Sequence, residues 1–177
     1  MSEERKTIYL CLAHLSEDRL EQKYVQEAFD TNWVVPMGPN VTAFEEDLRK
    51  FVTGNVESAV YQDSRWPEAT AAAWNLNPAL KDTKVVCLSA GTAAVHLALL
   101  ACGVGPGDEV CVQSFTFCAS SHPITYLGAT PVFIDSEPET WNMDPQLLEQ
   151  AILDRKEKTG KFPKAIVPVA LYGMPYK

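Results

Sequence analysis

The sequence lacks the features that mark membrane, secreted and nucleic-acid-binding proteins. It has no run of about 18 uncharged apolar residues, the length that a transmembrane helix needs, and its N-terminus, MSEERKTIYL, has no apolar stretch of signal-peptide length. Its 15 Lys and Arg residues are scattered among 23 Asp and Glu residues, so the formal net charge is −8. That charge disfavours nucleic acids and anionic membranes as partners. We therefore expect a soluble, cytoplasmic protein.

The cysteine content does not suit a disulfide framework. The chain has five cysteines, an odd number, and they lie inside apolar runs, which is typical of buried free thiols. Cys11 and His14 are spaced like one edge of a metal site, but no second pair completes a set of four ligands. The sequence therefore predicts neither a disulfide-rich fold nor a bound metal.

A dinucleotide-binding fingerprint is missing as well. The glycine cluster GVGPGD, residues 103–108, ends a helical pattern and precedes a strand-like run. The fingerprint must instead follow a strand and open a helix. A generic nucleotide-binding domain is therefore disfavoured, and the cluster is interpreted as a helix stop followed by a turn.

What the sequence does contain is a regular alternation of apolar runs and helical patterns from Lys84 onward. In order, these are the run VVCL, a helix over GTAAVHLALL, the strand EVCVQSF, a helix over ASSHPITYL, the strand TPVFID, a helix from Pro145 to about Lys156, and the strand AIVPVAL. Nearly unbroken apolar strands alternating with helices predict βαβ units and a parallel sheet. The expected fold class is α/β, a three-layer parallel sheet with helices on both faces.

The N-terminal third has a different pattern. Apolar residues at helical spacing predict a helix over 17–29, capped by Ser16, and a second helix over about 42–51, capped by Thr42. The loop TNWVVPMGPN separates them, because its Asn, Gly and two Pro residues cannot continue a helix. The predicted division of the chain is an N-terminal helical segment 1–54 that contains this loop, an irregular insertion 55–83, and a sheet domain 84–177.

Ligands of parallel sheets gather where the strands end and helices begin. There, the segment SAGT, residues 89–92, directs unpaired backbone N–H groups and the positive end of a helix dipole at one point, which suits a phosphate. A capped turn without a ligand explains the same residues. Asp135, at the end of the strand TPVFID, either faces a ligand or caps the turn SEPET. His96 is expected to be a core or interface histidine.

Most of the chain resembles one family. The segments that carry the resemblance follow one another in order: NWVVPMGPNVTAFEEDL, LSAGTAAVHLALLACGVGPGDEV, SFTFCASSHPITYLGATPVFID, ETWNMDPQLLEQAI and AIVPVALYGMP. They are similar to the DegT/DnrJ/EryC1/StrS family of pyridoxal-phosphate-dependent sugar aminotransferases. The resemblance implies the type I aminotransferase fold, with residues 84–177 as the first part of its large domain, and pyridoxal 5′-phosphate as the cofactor.

The resemblance also implies a set of site residues. The backbone of the segment 91–93 would hold the cofactor phosphate, and an aromatic side chain would stack on the pyridine ring. The residues expected at the cofactor are Gly91, Thr92, Ala93, Thr116, Phe117 and Ser121, and those expected near the sugar substrate are Asn32 and Trp33. Phe117 is the stacking aromatic.

The implied activity is the transfer of an amino group from an amino acid, expected to be glutamate, to a keto group of a nucleotide sugar. Such sugars feed polysaccharide biosynthesis, and the resemblance implies a cytoplasmic homodimer. Both the nucleotide sugar and the amino-acid donor are therefore expected partners.

The sequence also departs from the family pattern. The family's Schiff-base lysine and pyridine-pairing aspartate lie downstream of the LYG strand, whereas these 177 residues stop at Lys177. The C-terminal domain is thus expected to be absent and the chain alone to be inactive. His122 stands where many relatives have Asn. Two alternatives stay open: a sugar dehydratase of the same family, in which a histidine replaces the lysine, and a non-catalytic truncated fragment.

Overall fold

A computed structural model of the chain describes residues 15–53 and 83–176. The chain divides into two units, Met1–Cys87 and Leu88–Lys177, and each is described by itself. Nearly all of the predicted insertion 55–83 lies outside the described residues, as do Cys11 and His14.

Two helices form the described part of the first unit, α1 over Leu20–Asp30 and α2 over Pro39–Thr53. The predicted start of α1 at residue 17, capped by Ser16, is wrong, because the helix begins at Leu20 and Arg19 is the residue at its N-cap. The hydroxyl of Ser16 nevertheless accepts a hydrogen bond from the N–H of Leu20 at 3.2 Å. The predicted cap of α2 is wrong, because that helix begins at Pro39 and Thr42 lies inside it. Proline suits the first turn of a helix, because the N–H groups of that turn have no acceptor within the helix and a residue without an N–H loses no hydrogen bond there.

The apolar run VVCL, residues 85–88, does not form the predicted strand. A strand needs a neighbour to share its hydrogen bonds, and within residues 15–53 and 83–176 no strand pairs with this run. The N–H of Cys87 donates instead to the Glu45 carboxylate at 2.8 Å. An apolar run is therefore not sufficient to make a strand here.

The second unit is built on a parallel sheet of three strands. The strands are β1 over Glu109–Gln113, β2 over Thr130–Ile134 and β3 over Ala165–Val167, in the spatial order β2-β1-β3. The central strand β1 is fully buried from Val110 to Gln113. β3 is shorter than the predicted strand AIVPVAL because Pro168 has no N–H to donate to a neighbouring strand.

Alternate residues of β1 enter two separate cores. Val110 and Val112 pack with Leu99 and Ile124 on one face, whereas Cys111 packs with Ile134 and Met143 on the other. Helices cover both faces, α3 over Gly91–Ala101 and α4 over His122–Tyr126 on the first, and α5 over Pro145–Thr159 on the second. The predicted three-layer α/β fold is confirmed.

The helices of this unit end where local chemistry dictates. The predicted continuous helix over ASSHPITYL is instead a 3₁₀ turn, Cys118–Ser120, followed by α4. Pro123 prevents a continuous helix, because it has no N–H for the carbonyl of residue 119. α5 begins at a cap in which Asp144 accepts from the N–H groups of Gln146 and Leu147, and Gly160 follows its last residue, Thr159, in a left-handed conformation. Within residues 15–53 and 83–176, no helix combines the length and apolar character that crossing a bilayer requires.

The two-sided burial of β1 predicts the reactivity of the thiols. Cys111 is fully buried, and its burial, together with the negative charge of Glu109, raises the pKa of the thiol, whereas Cys102 and Cys118 are exposed. At pH 8, iodoacetamide is expected to label the two exposed cysteines within minutes and to leave Cys111 unlabelled, because the thiolate is the reactive species. Peptide mass spectrometry measures the extent of labelling at each cysteine.

The same raised pKa has a consequence for stability. The neutral thiol is favoured in the folded state, so the free energy of unfolding is expected to fall as the pH rises above about 8.5, the pKa of an unfolded cysteine.

For the labelling experiment with iodoacetamide, labelling in urea is the control, since all cysteines should then react alike. Native Cys111 reacting as fast as Cys102 would contradict the burial of the central strand.

Candidate functional site

The start of α3 presents unpaired backbone N–H groups. Ala90 precedes the helix in an extended conformation, and no side chain caps this end. The first intrahelical bond runs from the N–H of Ala94 to the carbonyl of Ala90, at 3.1 Å. The N–H groups of residues 91–93 therefore point out of the helix without an acceptor inside it, and the helix dipole gives this end a partial positive charge.

The space beside this helix start is open. Gly91 is exposed, and a Cβ atom placed on it would meet no atom within 4 Å. Its backbone does not have the positive φ that demands glycine. The fold itself therefore does not require glycine at this position, and an oxyanion can approach the backbone closely. The geometry fits a phosphate group.

The segment that follows β1 carries an exposed aromatic side chain. The side chain of Phe117 is 73% exposed, so it does not belong to the core. Hydroxyl groups order the residues around it: Thr116 and Ser120 share a hydrogen bond of 2.9 Å, and Ser121 donates to the carbonyl of Cys118 at 3.2 Å. A free aromatic face on an ordered turn is suited to stacking against a planar ring.

Packing brings these two segments together on one side of the sheet. α3 packs against both the turn Cys118–Ser120 and α4. The ring of His96 meets that of Tyr126 edge-on, with 5.7 Å between the centroids, and His122 lies 6.4 Å from the same tyrosine. His96 is thus a half-buried packing residue, as predicted. The open helix start and the aromatic turn are therefore held by one packed cluster.

Asp135 joins the ends of two strands. Its carboxylate accepts from the hydroxyl of Ser114, which follows β1, at 3.2 Å and from the N–H of Ser136 at 2.8 Å. The carbonyl of Asp135 also accepts from the N–H of Asp144 at 2.9 Å. The side chain is exposed but engaged in the turn, so the structure shows the turn-forming role that the sequence left open.

Asn32 and Trp33 lie in the first unit, immediately after α1. Asn32 has a left-handed backbone (φ 59°), and the N–H of Trp33 donates to the carbonyl of Ala28 at 2.8 Å. The indole lies so close to Gly38 that a Cβ there would be 2.9 Å from it. This contact explains the glycine of the GPN sequence, because any side chain would displace the half-exposed Trp33.

One buried polar side chain beneath the second unit's loops had no role in the sequence analysis. Gln113 ends β1, is fully buried, and donates to the carbonyls of Phe115 and Trp141. Its sequence signal is a polar residue at the end of an otherwise apolar strand. Trp141 and Tyr172, both exposed, adopt left-handed backbones with φ of 63° and 55°.

Comparisons with known proteins show the family. The profile of the DegT/DnrJ/EryC1/StrS aminotransferase family matches residues 67–177. The chain belongs to this family. EpsN of Bacillus subtilis, by name a candidate pyridoxal phosphate-dependent aminotransferase, is 42% identical over 172 residues, which are 97% of this chain and 36% of the relative. The GDP-perosamine synthase of Caulobacter vibrioides is 36% identical over 156 residues, 88% of this chain and 33% of that protein.

A solved structure supports the fold. The family member from Brucella abortus superimposes with a TM-score of 0.67 at 29% identity, covering 90% of this chain and 36% of that one. The chain therefore forms a part of the type I pyridoxal-phosphate aminotransferase fold. It spans about a third of the length of the curated relatives that it matches.

A pair of glycine substitutions distinguishes a position that the fold needs from one that it does not. Gly91→Ala is expected to change the free energy of unfolding by less than about 0.5 kcal/mol, because the added methyl group meets open space. Gly128→Ala is expected to cost about 1–2 kcal/mol, since Gly128 has φ +71° and an added Cβ would lie 3.2 Å from Pro106. Urea unfolding measures both. Equal losses would contradict the open space at the helix start.

Proposed function

We propose that the protein is a pyridoxal-phosphate-dependent aminotransferase that transfers an amino group from an amino acid, with glutamate as donor, to a keto group of a nucleotide sugar. The observations that carry this proposal are the uncapped start of α3 and the exposed Phe117, which precedes the turn that packs against the same helix. Family membership supports it, as do the names of EpsN and the GDP-perosamine synthase, the second of which names an amino sugar linked to GDP.

The backbone at the start of α3 has the role of binding the cofactor phosphate. The N–H groups of Gly91, Thr92 and Ala93 donate to its oxygens, and the Thr92 hydroxyl adds a further donor. The absence of a side chain at Gly91 leaves room for the phosphate. These residues fix one end of the cofactor and thereby its distance from the segment after β1.

Phe117 fixes the plane of the cofactor ring by stacking on it. Thr116 and Ser121 lie on the same ordered turn and line the pocket around that ring. The bound cofactor supplies an electron sink that stabilises the charge left when a proton is removed from the amino acid. A phosphate anchor and a stacked face together restrict the ring to one orientation, which is what a stereospecific proton transfer needs.

The substrate side of the proposal involves the first unit. Asn32 and Trp33 are proposed to contact the sugar, Trp33 through its half-exposed indole. The proposal includes a homodimer, in which this loop approaches a neighbouring subunit. Both assignments rest on the resemblance of the NWVVPMGPN segment to the family.

Binding of pyridoxamine 5′-phosphate tests the cofactor site, because this form needs no covalent bond to a lysine. The chain is expected to bind it at least roughly tenfold more tightly than pyridoxamine, since charged hydrogen bonds contribute about 1.5–3 kcal/mol. Fluorescence titration at constant salt measures both ligands. Equal affinities, or no binding of either, would overturn the proposal.

Two phenylalanine variants in the same titration test the stacking. Phe117→Ala is expected to weaken binding roughly fivefold, the loss of one aromatic contact. Phe162→Ala is the matched control: Phe162 is 60% exposed, contacts Lys156, and lies at the opposite, amino end of β3. A loss of equal size in both variants would show that Phe117 has no special contact with the ring.

We propose further that a polypeptide of these 177 residues binds the cofactor without transaminating. The family resemblance places the Schiff-base lysine and the pyridine-pairing aspartate in segments that these residues do not contain. Incubation with pyridoxal 5′-phosphate and glutamate is thus expected to produce no pyridoxamine 5′-phosphate above the protein-free rate. A member of the family with full activity is the positive control, and enzymatic turnover by the 177-residue chain would contradict this part of the proposal.

A further inference from the structure

Gln113 has every polar atom of its side chain engaged although it is fully buried. Its Nε2 donates to the carbonyl of Phe115 at 2.9 Å and to that of Trp141 at 3.1 Å. Its Oε1 accepts from the hydroxyl of Tyr176 at 2.8 Å. Two donor hydrogens and one acceptor oxygen thus have three partners, which is the condition for burying an amide without a large penalty.

The three partners lie in the three segments that follow the strands. Phe115 follows β1, Trp141 lies in the connection after β2, and Tyr176 lies in the segment after β3. The segments are far apart in sequence, so one amide joins parts of the chain that have no local reason to meet. We call these hydrogen bonds the Gln113 network.

Tyr176 extends the network into the segment after β3. Its hydroxyl accepts from the N–H of Val169 at 2.8 Å and lies 3.0 Å from the carbonyl of the same residue. Asn142 adds a parallel connection, because its Nδ2 donates to the carbonyls of Met174 and Pro175 at 3.2 and 3.1 Å. The segment 169–176 is therefore closed on itself through Tyr176, and its C-terminal end is attached to Gln113 and Asn142.

The network also holds two exposed rings. Phe115 is 45% and Trp141 60% exposed, and the centroids of their rings lie 5.6 Å apart at an angle of 53°. Trp141 has φ +63°, a left-handed conformation that is unfavourable for a non-glycine residue. The hydrogen bond from Gln113 to its carbonyl is one of the interactions that hold this conformation.

Side chains of similar size and shape cannot replace the Gln113 amide. Two carbonyl oxygens face Nε2, so Gln113→Glu would place a carboxylate oxygen against them in a buried site. Gln113→Met would keep a similar volume but leave two carbonyls and the Tyr176 hydroxyl without this partner. The chemistry at this position therefore selects glutamine for its hydrogen bonds rather than for its bulk.

We propose that Gln113 is a positioning residue for the cofactor site: by holding Phe115 and Trp141 it places the turn that carries Phe117. The proposal rests on the proposed function, because it concerns the same site. Gln113 is the last residue of β1 and its side chain is fully buried, so it acts on the site through the segment 114–117. The consequence is that the network sets the position of the stacking face, whereas the start of α3 sets the position of the phosphate.

This division of roles gives a test with two probes. Pyridoxamine 5′-phosphate engages both the ring face and the helix start, whereas inorganic phosphate engages the helix start alone. Gln113→Met in the 177-residue chain is expected to weaken binding of the first probe roughly tenfold and to leave the phosphate affinity within about twofold. NMR shifts of the amides of residues 91–93 report the binding of both probes. Gln150→Met, the same change on the exposed face of α5, is the matched control and should leave both unchanged.

A second variant keeps the positioning role testable if Gln113→Met does not fold. Tyr176→Phe keeps the ring and removes only the hydroxyl, and it is expected to act in the same direction with a smaller effect. Hydrogen exchange of peptides covering 114–121 and 169–176 should rise in both variants, while α3 keeps its protection. If Gln113→Met lacks a cooperative melting transition, Tyr176→Phe alone decides.

The outcomes separate the two proposals. A wild-type chain that does not bind pyridoxamine 5′-phosphate overturns the proposed function and, with it, the positioning role. Wild-type binding that both variants leave unchanged overturns the positioning role alone. Equal losses for the two probes show a purely structural role for Gln113 and also overturn it.

Discussion

The burial of β1 on both faces is the constraint on which the second unit depends. A strand with helices above and below it must send alternate side chains into two cores, and Val110, Cys111 and Val112 do so. Its backbone groups must also be satisfied by neighbours, and β2 and β3 pair with it in parallel on either side. Parallel pairing in turn requires crossover connections, and because these are right-handed and run in opposite directions from β1 to β2 and from β2 to β3, α4 and α5 lie on opposite faces. The layer order is thus a consequence of one buried strand.

The same constraint explains why the candidate site lies at the carboxyl end of the sheet. Parallel strands all end at one edge, and the chain leaves each of them through a segment that must turn toward a helix or back over the sheet. The polar groups of those segments are only partly covered by the sheet below. Here the start of α3 keeps its N–H groups free of side-chain caps, and the turn after β1 keeps an aromatic ring free of the core. Both features lower the stability of the chain without a ligand, and a bound ligand would supply the contacts that they lack.

The layers could be predicted from the sequence, because nearly unbroken apolar runs between helical patterns indicate strands that are buried on both faces. The ends of the elements could not, since they depend on partners. Residues 85–88 are as apolar as β1, yet no described strand lies beside them, and β3 stops before Pro168 for lack of a donor. The Gln113 network is hidden for a further reason: its partners lie 2, 28 and 63 residues away along the chain. No local pattern carries information about contacts at those separations.

Burying an amide at the end of β1 costs free energy, because the amide gives up its hydration. An apolar side chain of the same volume would give up no hydration and would suit the cores on either side of β1, so stability alone does not account for glutamine there. What an apolar side chain lacks is direction, because dispersion contacts permit several arrangements of a loop whereas three hydrogen bonds permit one. The segments above Gln113 carry exposed rings and left-handed residues, which have little packing of their own to hold them. Fixing their backbone from below removes conformational entropy before a ligand arrives, so that less is lost on binding. The position of the amide, at the point where the core ends and the site begins, is where such ordering acts on the site without entering it.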